Sequence, residues 1–347
     1  MRAVVYSELG GPDVLRLVER AVPSPGPGEV RVQVHVSGVN PTDWKARRGR
    51  GSGQPPFPEV VPNQDGAGTI DAVGDGVPAD RVGERVWLWE AAWRRADGTA
   101  QELVVLPERQ AVRLPDAVSF DVGASLGIPA LTAHRCLTVS EHGPRSLAPG
   151  ALAGRTVLVA GGAGAVGHAA IQLARWAGAR VIATFSGDEK AELARAAGAE
   201  HVVNYRRSDA AEETRAFAPD GVDVVVEVAP AANTALDAAV LAGNGTVAAY
   251  ATEGERRVEL DVRALMSRNV RYQLVLVYTV SAAAKDQAVA DVAAAVADEA
   301  LPVGEEAGLP LHRFPLERTA DAHEAVEGGT IGKVLIEVAA AERTSDA

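Results

Sequence analysis

The sequence predicts an α/β protein: a doubly wound parallel sheet joined to a β-rich domain. Three observations lead there. Short apolar runs alternate with helical segments through the middle of the chain. A glycine cluster, G-x-G-x-x-G, follows the first of those runs at Gly162, Gly164 and Gly167. The first third is instead punctuated by Gly and Pro, with period-two alternation between, as in "EVRVQVHVSGV".

A chain of 347 residues is long enough for two domains with real cores. Its 47% hydrophobic and 23% charged residues suit a water-soluble globular protein. A formal charge of -12 repels nucleic acid and anionic membrane, so neither is an expected partner. No apolar run reaches lipid-spanning length, and "MRAVVYSELGGPDVL" lacks the order of a signal peptide. The single cysteine, Cys136, excludes an internal disulfide and a multi-cysteine zinc site. A reducing cytoplasm is the expected location, with Cys136 as a small apolar filler.

To about Leu126 the chain reads as an irregular, strand-rich domain, broken by "PSPGPGEV", "GSGQPPFPEVVP" and "GDGVP". In the middle, "TVLVAG", "RVIATF", "HVVNY", "VDVVVEVA", "GTVAAYA" and "RYQLVLVYTV" alternate with helices. Strands so short and apolar belong to a parallel sheet covered on both faces. Gly198 suits the left-handed position that ends a helix. From Ser281 an Ala-rich helix, "HRFPLERTADAHEAVE" and a strand "GKVLIEV" are expected to return to the first domain; "AERTSDA" is expected to fray. The expected domains are therefore 1–126 with 281–347, and 127–280.

The glycine turn has a physical reason. Missing Cβ atoms let a pyrophosphate approach the backbone, and the helix that follows offers free N–H donors and a positive dipole. A third glycine lets helix and strand pack closely. An NAD site carries Asp or Glu at the tip of the next strand to bind the ribose hydroxyls. Here that strand ends in Phe185, followed by Ser186 and, one helical turn on, Lys190. A hydroxyl and an ammonium suit a 2′-phosphate, so NADPH is the expected cofactor. Asp188 and Glu189 fit the helix dipole.

Seven blocks carry a resemblance: "SGVNPTDWKARRG" (37–49), "PNQDGAGTIDAVGDGV" (62–77), "GERVW" (83–87), "GASLGIPALTAHRCL" (123–137), "VLVAGGAGAVGHAAIQLARWAGARVIAT" (157–184), "GAEHVVNY" (198–205) and "AHEAVEGGTIGKVLI" (322–336). In their order and spacing the chain resembles the zinc-free, zeta-crystallin-like quinone oxidoreductases of the medium-chain dehydrogenase/reductase superfamily. The resemblance implies a GroES-like catalytic domain made from both chain ends, a Rossmann domain between them, and NADPH in a cleft. It implies that Ser186, Lys190 and Tyr205 contact the adenosine phosphate, and Gly162, Gly164, Ala165, Val166 and Gly167 the pyrophosphate. Asn40, Thr132 and Val277 would lie towards the nicotinamide, and Tyr250 is a further expected cofactor contact. It also implies a homodimer, joined through the sheet edge at "LVLVY" (274–278).

Zinc-dependent relatives place Cys where this chain has Asn40, and His-Glu where it has Gln64-Asp65. Carboxamides are poor zinc ligands, and no two of the seven histidines are three or four apart. No metal is therefore expected. Without a metal's Lewis acidity the expected reaction is hydride transfer from NADPH to an electrophilic small molecule, a quinone first. Asn40, Gln64 and Thr132 are the candidate hydrogen-bond donors to its developing oxyanion. Two alternatives stand beside this reading: reduction of a C=C bond in an enal, enone or biosynthetic intermediate, and a cofactor-binding sensor or RNA-binding protein without turnover. Lys45, where several relatives carry tyrosine, is read as solvated, and His323 as packed. Asn63 is expected to take the left-handed conformation of a frequent glycine. Trp87, Trp89 and Trp93 line either an acceptor pocket or the core, and 141–154 is expected to be a surface loop.

Overall fold

The computed structural model describes residues 1–49, 53–206, 209–252 and 255–338. The "AERTSDA" tail lies outside them. The chain divides into two compact units, Met1–Ile128 with the segment from Leu311, and Pro129–Pro310.

In the first unit β1 (Arg2–Val5) pairs with β2 (Arg16–Glu19). Then come β3 (Glu29–Val39), α1 (Pro41–Arg48), β4 (Asp65–Val73), β5 (Arg85–Leu88), β6 (Leu103–Pro107) and β7 (Ala111–Arg113). The predicted alternation in β3 is seen: Val30, Val32 and Val34 are fully buried beside more open Arg31 and Gln33. The helix α2 (Phe120–Leu137) follows, and the division between units falls within it, at Pro129.

The second unit alternates strand and helix throughout. Its strands are β8 (Thr156–Ala160), β9 (Arg180–Phe185), β10 (His201–Asn204), β11 (Val222–Glu227), β12 (Leu241–Ala249) and β13 (Arg271–Leu274). Between and after them lie α3 (Ala165–Trp176), α4 (Asp188–Ala197), α5 (Ala210–Phe217), α6 (Pro230–Val240), α7 (Val262–Met266) and α8 (Ala282–Ala297). The sheet runs β10-β9-β8-β11-β12-β13, and every pairing is parallel. That is the doubly wound order, in which the chain reverses direction across the sheet beside β8. All five residues of β8 are buried, as helices on both faces require. Gly198 closes α4 at φ 109°.

The chain then returns to the first unit as β14 (Leu311–Pro315), α9 (Thr319–Glu327) and β15 (Lys333–Glu337). The first unit's main sheet runs β14-β15-β3-β4-β5-β7, with β6 also paired to β3.

Two expectations are corrected here. The return to the first unit comes at Leu311, about thirty residues later than Ser281. Asp291 on α8 explains why: it accepts hydrogen bonds from His134 Nε2 at 2.7 Å, Ser146 Oγ at 3.0 Å and the Leu147 N–H at 2.7 Å. His168 Nε2 and Gln172 Nε2 likewise bond the Ala307 and Pro302 carbonyls. The last strand is also shorter than "RYQLVLVYTV": β13 stops at Leu274, and a 3₁₀ turn takes Val277–Thr279.

The glycines of the turn have distinct roles. A Cβ on Gly167 would lie 2.4 Å from the Gly161 carbonyl oxygen, whereas one on Gly164 meets only that oxygen, at 3.5 Å. Gly167→Ala is therefore expected to lower unfolding stability by about 1–3 kcal/mol. Gly164→Ala should stay within about 1 kcal/mol of the parent. Urea denaturation of the two variants checks the contrast; equal losses would contradict it.

Candidate active site

Antiparallel pairing assembles a polar cluster in the first unit. β3 lies between β15 and β4 and runs against both. Its end, at Val39, therefore meets their beginnings: Val39 pairs with Val334, and Gly38 with Asp65. Asn40, Asp65 and Lys333 stand at these three strand ends. All are buried, Asp65 completely and Lys333 to 1% exposure. The Asn40 Nδ2 donates to Asp65 Oδ2 at 2.6 Å, and the Lys333 ammonium donates to Asn40 Oδ1 at 2.8 Å. Lys333 Nζ is 3.7 Å from Asp65 Oδ2, while Asp65 Oδ1 accepts the Ile128 N–H at 2.9 Å. A Cβ on Gly127 would sit 2.1 Å from that Oδ1, so glycine there keeps the carboxylate in place.

Asn40 also begins α1. Its N–H donates to Asp43 Oδ2 at 2.7 Å in a capping box. Burial first, and the Asp65 charge second, push Asp43 up to about 8. Burial also raises Asp65 and lowers Lys333, against their mutual attraction. A second chain of bonds fixes the start of β4. His323 Nε2 donates to Asn63 Oδ1 at 2.9 Å, and Asn63 Nδ2 donates to Ser37 Oγ at 2.9 Å. Ser37 Oγ meets Thr99 Oγ1 at 2.7 Å, and Thr99 donates to the Asp65 carbonyl at 2.5 Å. Burial, then the Arg47 charge, depress His323 to about 3, so it is a neutral, packed residue.

The second unit offers a different surface. The parallel sheet brings the carboxyl ends of its strands to one edge. The glycine turn lies there after β8, Ser186 after β9, Tyr205 after β10, Tyr250 after β12, and Val277 in the turn beyond β13. Gly162 and Gly167 are buried, Gly164 is exposed, and Ala165 and Val166 open the half-buried first turn of α3. Ser186 and Lys190 are half-buried, and Tyr205 is exposed. The open space at Gly164, with a helix N-terminus behind it, fits the pyrophosphate of a dinucleotide.

The candidate donors thus divide: Asn40 and Gln64 belong to the first unit, Thr132 on α2 to the second. All three are buried, and Gln64 Oε1 has no hydrogen-bond partner among the described residues. Lys45 is exposed, 5.5 Å above the Trp44 ring. Trp87 and Trp89 are core residues, and Asn63 takes φ 79°. Sequence reasoning missed Lys333, since a lysine opening a strand is ordinarily solvated. It also missed Glu227, fully buried at the end of β11. That carboxylate accepts from Asn233 Nδ2 at 3.0 Å and faces Asp237; burial raises both acids.

A zinc ion does not suit the first cluster. The Asn40 oxygen already accepts from an ammonium, and a cation beside Lys333 is repelled. Among the described residues no group of three or more His, Cys, Asp or Glu side chains is placed to hold a metal. Nor is any helix among them long and apolar enough to cross a membrane.

Residues 26–116 match the alcohol dehydrogenase GroES-like domain family, and 165–295 the zinc-binding dehydrogenase family. The quinone oxidoreductase of Rattus norvegicus is 32% identical over 344 residues, 97% of each chain. A mycobacterial protein solved in complex with NADPH is 30% identical, with TM-score 0.78, covering 97% of this chain and 99% of that one. An NAD-dependent alcohol dehydrogenase structure is 28% identical, with TM-score 0.82, covering 98% and 100%.

The raised Asp43 carboxyl predicts a pH effect. Its native value of about 8 stands above its ordinary 3.8. The stability it contributes is thus complete below pH 3.8 and is lost as pH rises through about 8. Asp43→Asn keeps the cap acceptor and cannot ionise. Urea titrations should show the variant gaining on the parent between pH 5 and pH 8; a pH-independent difference would mean Asp43 ionises normally.

Proposed function

Because the chain belongs to the quinone oxidoreductase family of the medium-chain dehydrogenases/reductases, we propose that it reduces a quinone-type acceptor with NADPH and without zinc. It is an NAD(P)H-dependent oxidoreductase. The observation that carries the choice of cofactor is the tip of β9. Phe185 ends the strand, and a hydroxyl and an ammonium follow where an NAD site keeps an acid.

The turn at Gly162, Gly164 and Gly167, with the N–H groups of Ala165 and Val166, receives the pyrophosphate. Ser186, Lys190 and Tyr205 take the adenosine phosphate; Tyr250 and Val277 lie towards the nicotinamide. Bound NADPH supplies a hydride from C4 of its nicotinamide. Asn40, with one amide N–H held by Asp65, keeps the other for the acceptor's oxygen. Gln64 and Thr132 are the further donors. The alcohol dehydrogenase kinship does not bring zinc with it, since Asn40 and Lys333 present a carboxamide and an ammonium where a metal needs anionic or imidazole ligands.

The chain works as a homodimer. β13 lies at the edge of its sheet, and Leu274 and Leu276 are 71% and 55% exposed. An apolar edge of this kind is a template for pairing, and a second copy of the chain supplies the same strand. A cytoplasmic location suits the single buried cysteine, whose thiol burial pushes upward.

NADPH oxidation with a 1,4-quinone, set against a 2-alkenal and against NADH, tests the reading; faster turnover of the alkenal would replace the quinone with a C=C substrate. Replacing both Ser186 and Lys190 with alanine should weaken NADPH binding by about tenfold to a hundredfold and leave NADH nearly unchanged. Fluorescence titration reads this, and an equal loss for both nucleotides would count against the phosphate role. Lysine at both Leu274 and Leu276 should yield a monomer by light scattering.

A further inference from the structure

We propose that Lys333 is a positioning residue for the reaction: its buried ammonium holds the Asn40 carboxamide in the one orientation that leaves an amide N–H for the acceptor. The inference rests on the donor role given above to Asn40.

The geometry leaves the carboxamide little choice. As it stands, Oδ1 faces an ammonium at 2.8 Å and Nδ2 faces a carboxylate at 2.6 Å. Turned by half a rotation, the amide would set N–H donors against the ammonium and its oxygen against Asp65. Both contacts would be repulsive. Asp65 alone could hold Nδ2, but it would then be a fully buried carboxylate without a counter-charge. Lys333 supplies that charge and fixes the oxygen at the same time.

The surroundings make the lysine costly. It is 1% exposed, at the head of a strand whose next three residues are also buried. An ammonium withdrawn from water needs partners, and those recorded for Lys333 are Asn40 and Asp65. Its Cε also lies 3.1 Å from where a Cβ on Gly38 would be, so the stem is confined as well. A residue serving only to join β15 to β3 needs no charge, because the backbone pairing of the two strands already does that.

A double-mutant cycle separates positioning from mere support. NADPH oxidation with a 1,4-quinone is measured for the parent, Lys333→Met, Asn40→Ala and the double variant. Lys333→Met is expected to lower kcat by about tenfold to a hundredfold, with KM for NADPH unchanged. The double variant should be no slower than Asn40→Ala, because Lys333 acts through Asn40. Lys333→Arg, which keeps a cation, should recover part of the loss. Should Lys333→Met fail to fold, Asp65→Asn with Lys333→Met removes both charges together, and the same loss in kcat is expected from it. Losses that multiply in the double variant, or parental kcat in a folded Lys333→Met, overturn the positioning role. Parental kcat in Asn40→Ala overturns the donor role and this inference with it.

Discussion

A buried ammonium sits among a carboxamide and two carboxyl groups, and much of the first unit is arranged so that this is tolerable. Water is excluded from Asn40, Asp65 and Lys333, so each needs its partners. The partners come from β15, β3, β4 and the backbone at Ile128, brought together only when the sheet is in register. The cluster therefore reports on the fold: strand pairing places the charges, and the charges tolerate one register. Asp43 completes it by capping α1, which fixes the main chain at Asn40 from the other side.

The second unit solves a different problem with less charge. Here the parallel sheet fixes which edge carries the strand ends, and three glycines divide the remaining work. Gly167 allows α3 to lie against the main chain at Gly161, and Gly162 packs against Ala183 and Ile171. Gly164 leaves space instead. Two of the three are thus needed for packing and one for access to the backbone. A motif defined by composition resolves into two physical functions.

Much of this was legible in the sequence, because periodicity and turn chemistry are local. β3, the alternating strands, the turn and the end of α4 at Gly198 follow from spacing alone. The return point at Leu311 was not legible, because an Ala-rich helix such as α8 has no strong apolar face to say what it packs on. What ties it to the second unit is Asp291, whose donors His134, Ser146 and Leu147 lie about 145 residues or more away in sequence. Lys333 was hidden for a related reason. Its partners lie 293 and 268 residues away, so nothing near it in the chain signals burial. Asn40 and Gln64 were visible as candidate donors, but the hydrogen bonds that orient Asn40 were not. The edge strand was drawn too long: β13 stops at Leu274, and the apolar run "LVLVY" continues past it into a 3₁₀ turn.

Residues 165–295 match the zinc-binding dehydrogenase family, whereas in the first unit an ammonium already meets the Asn40 oxygen, and the proposed reaction uses no zinc. The most direct measurement is zinc content and NADPH-dependent quinone turnover on one preparation, before and after exhaustive chelation. The account predicts no stoichiometric zinc and unchanged turnover. One zinc ion per chain, removed together with activity and restoring it on return, would contradict it.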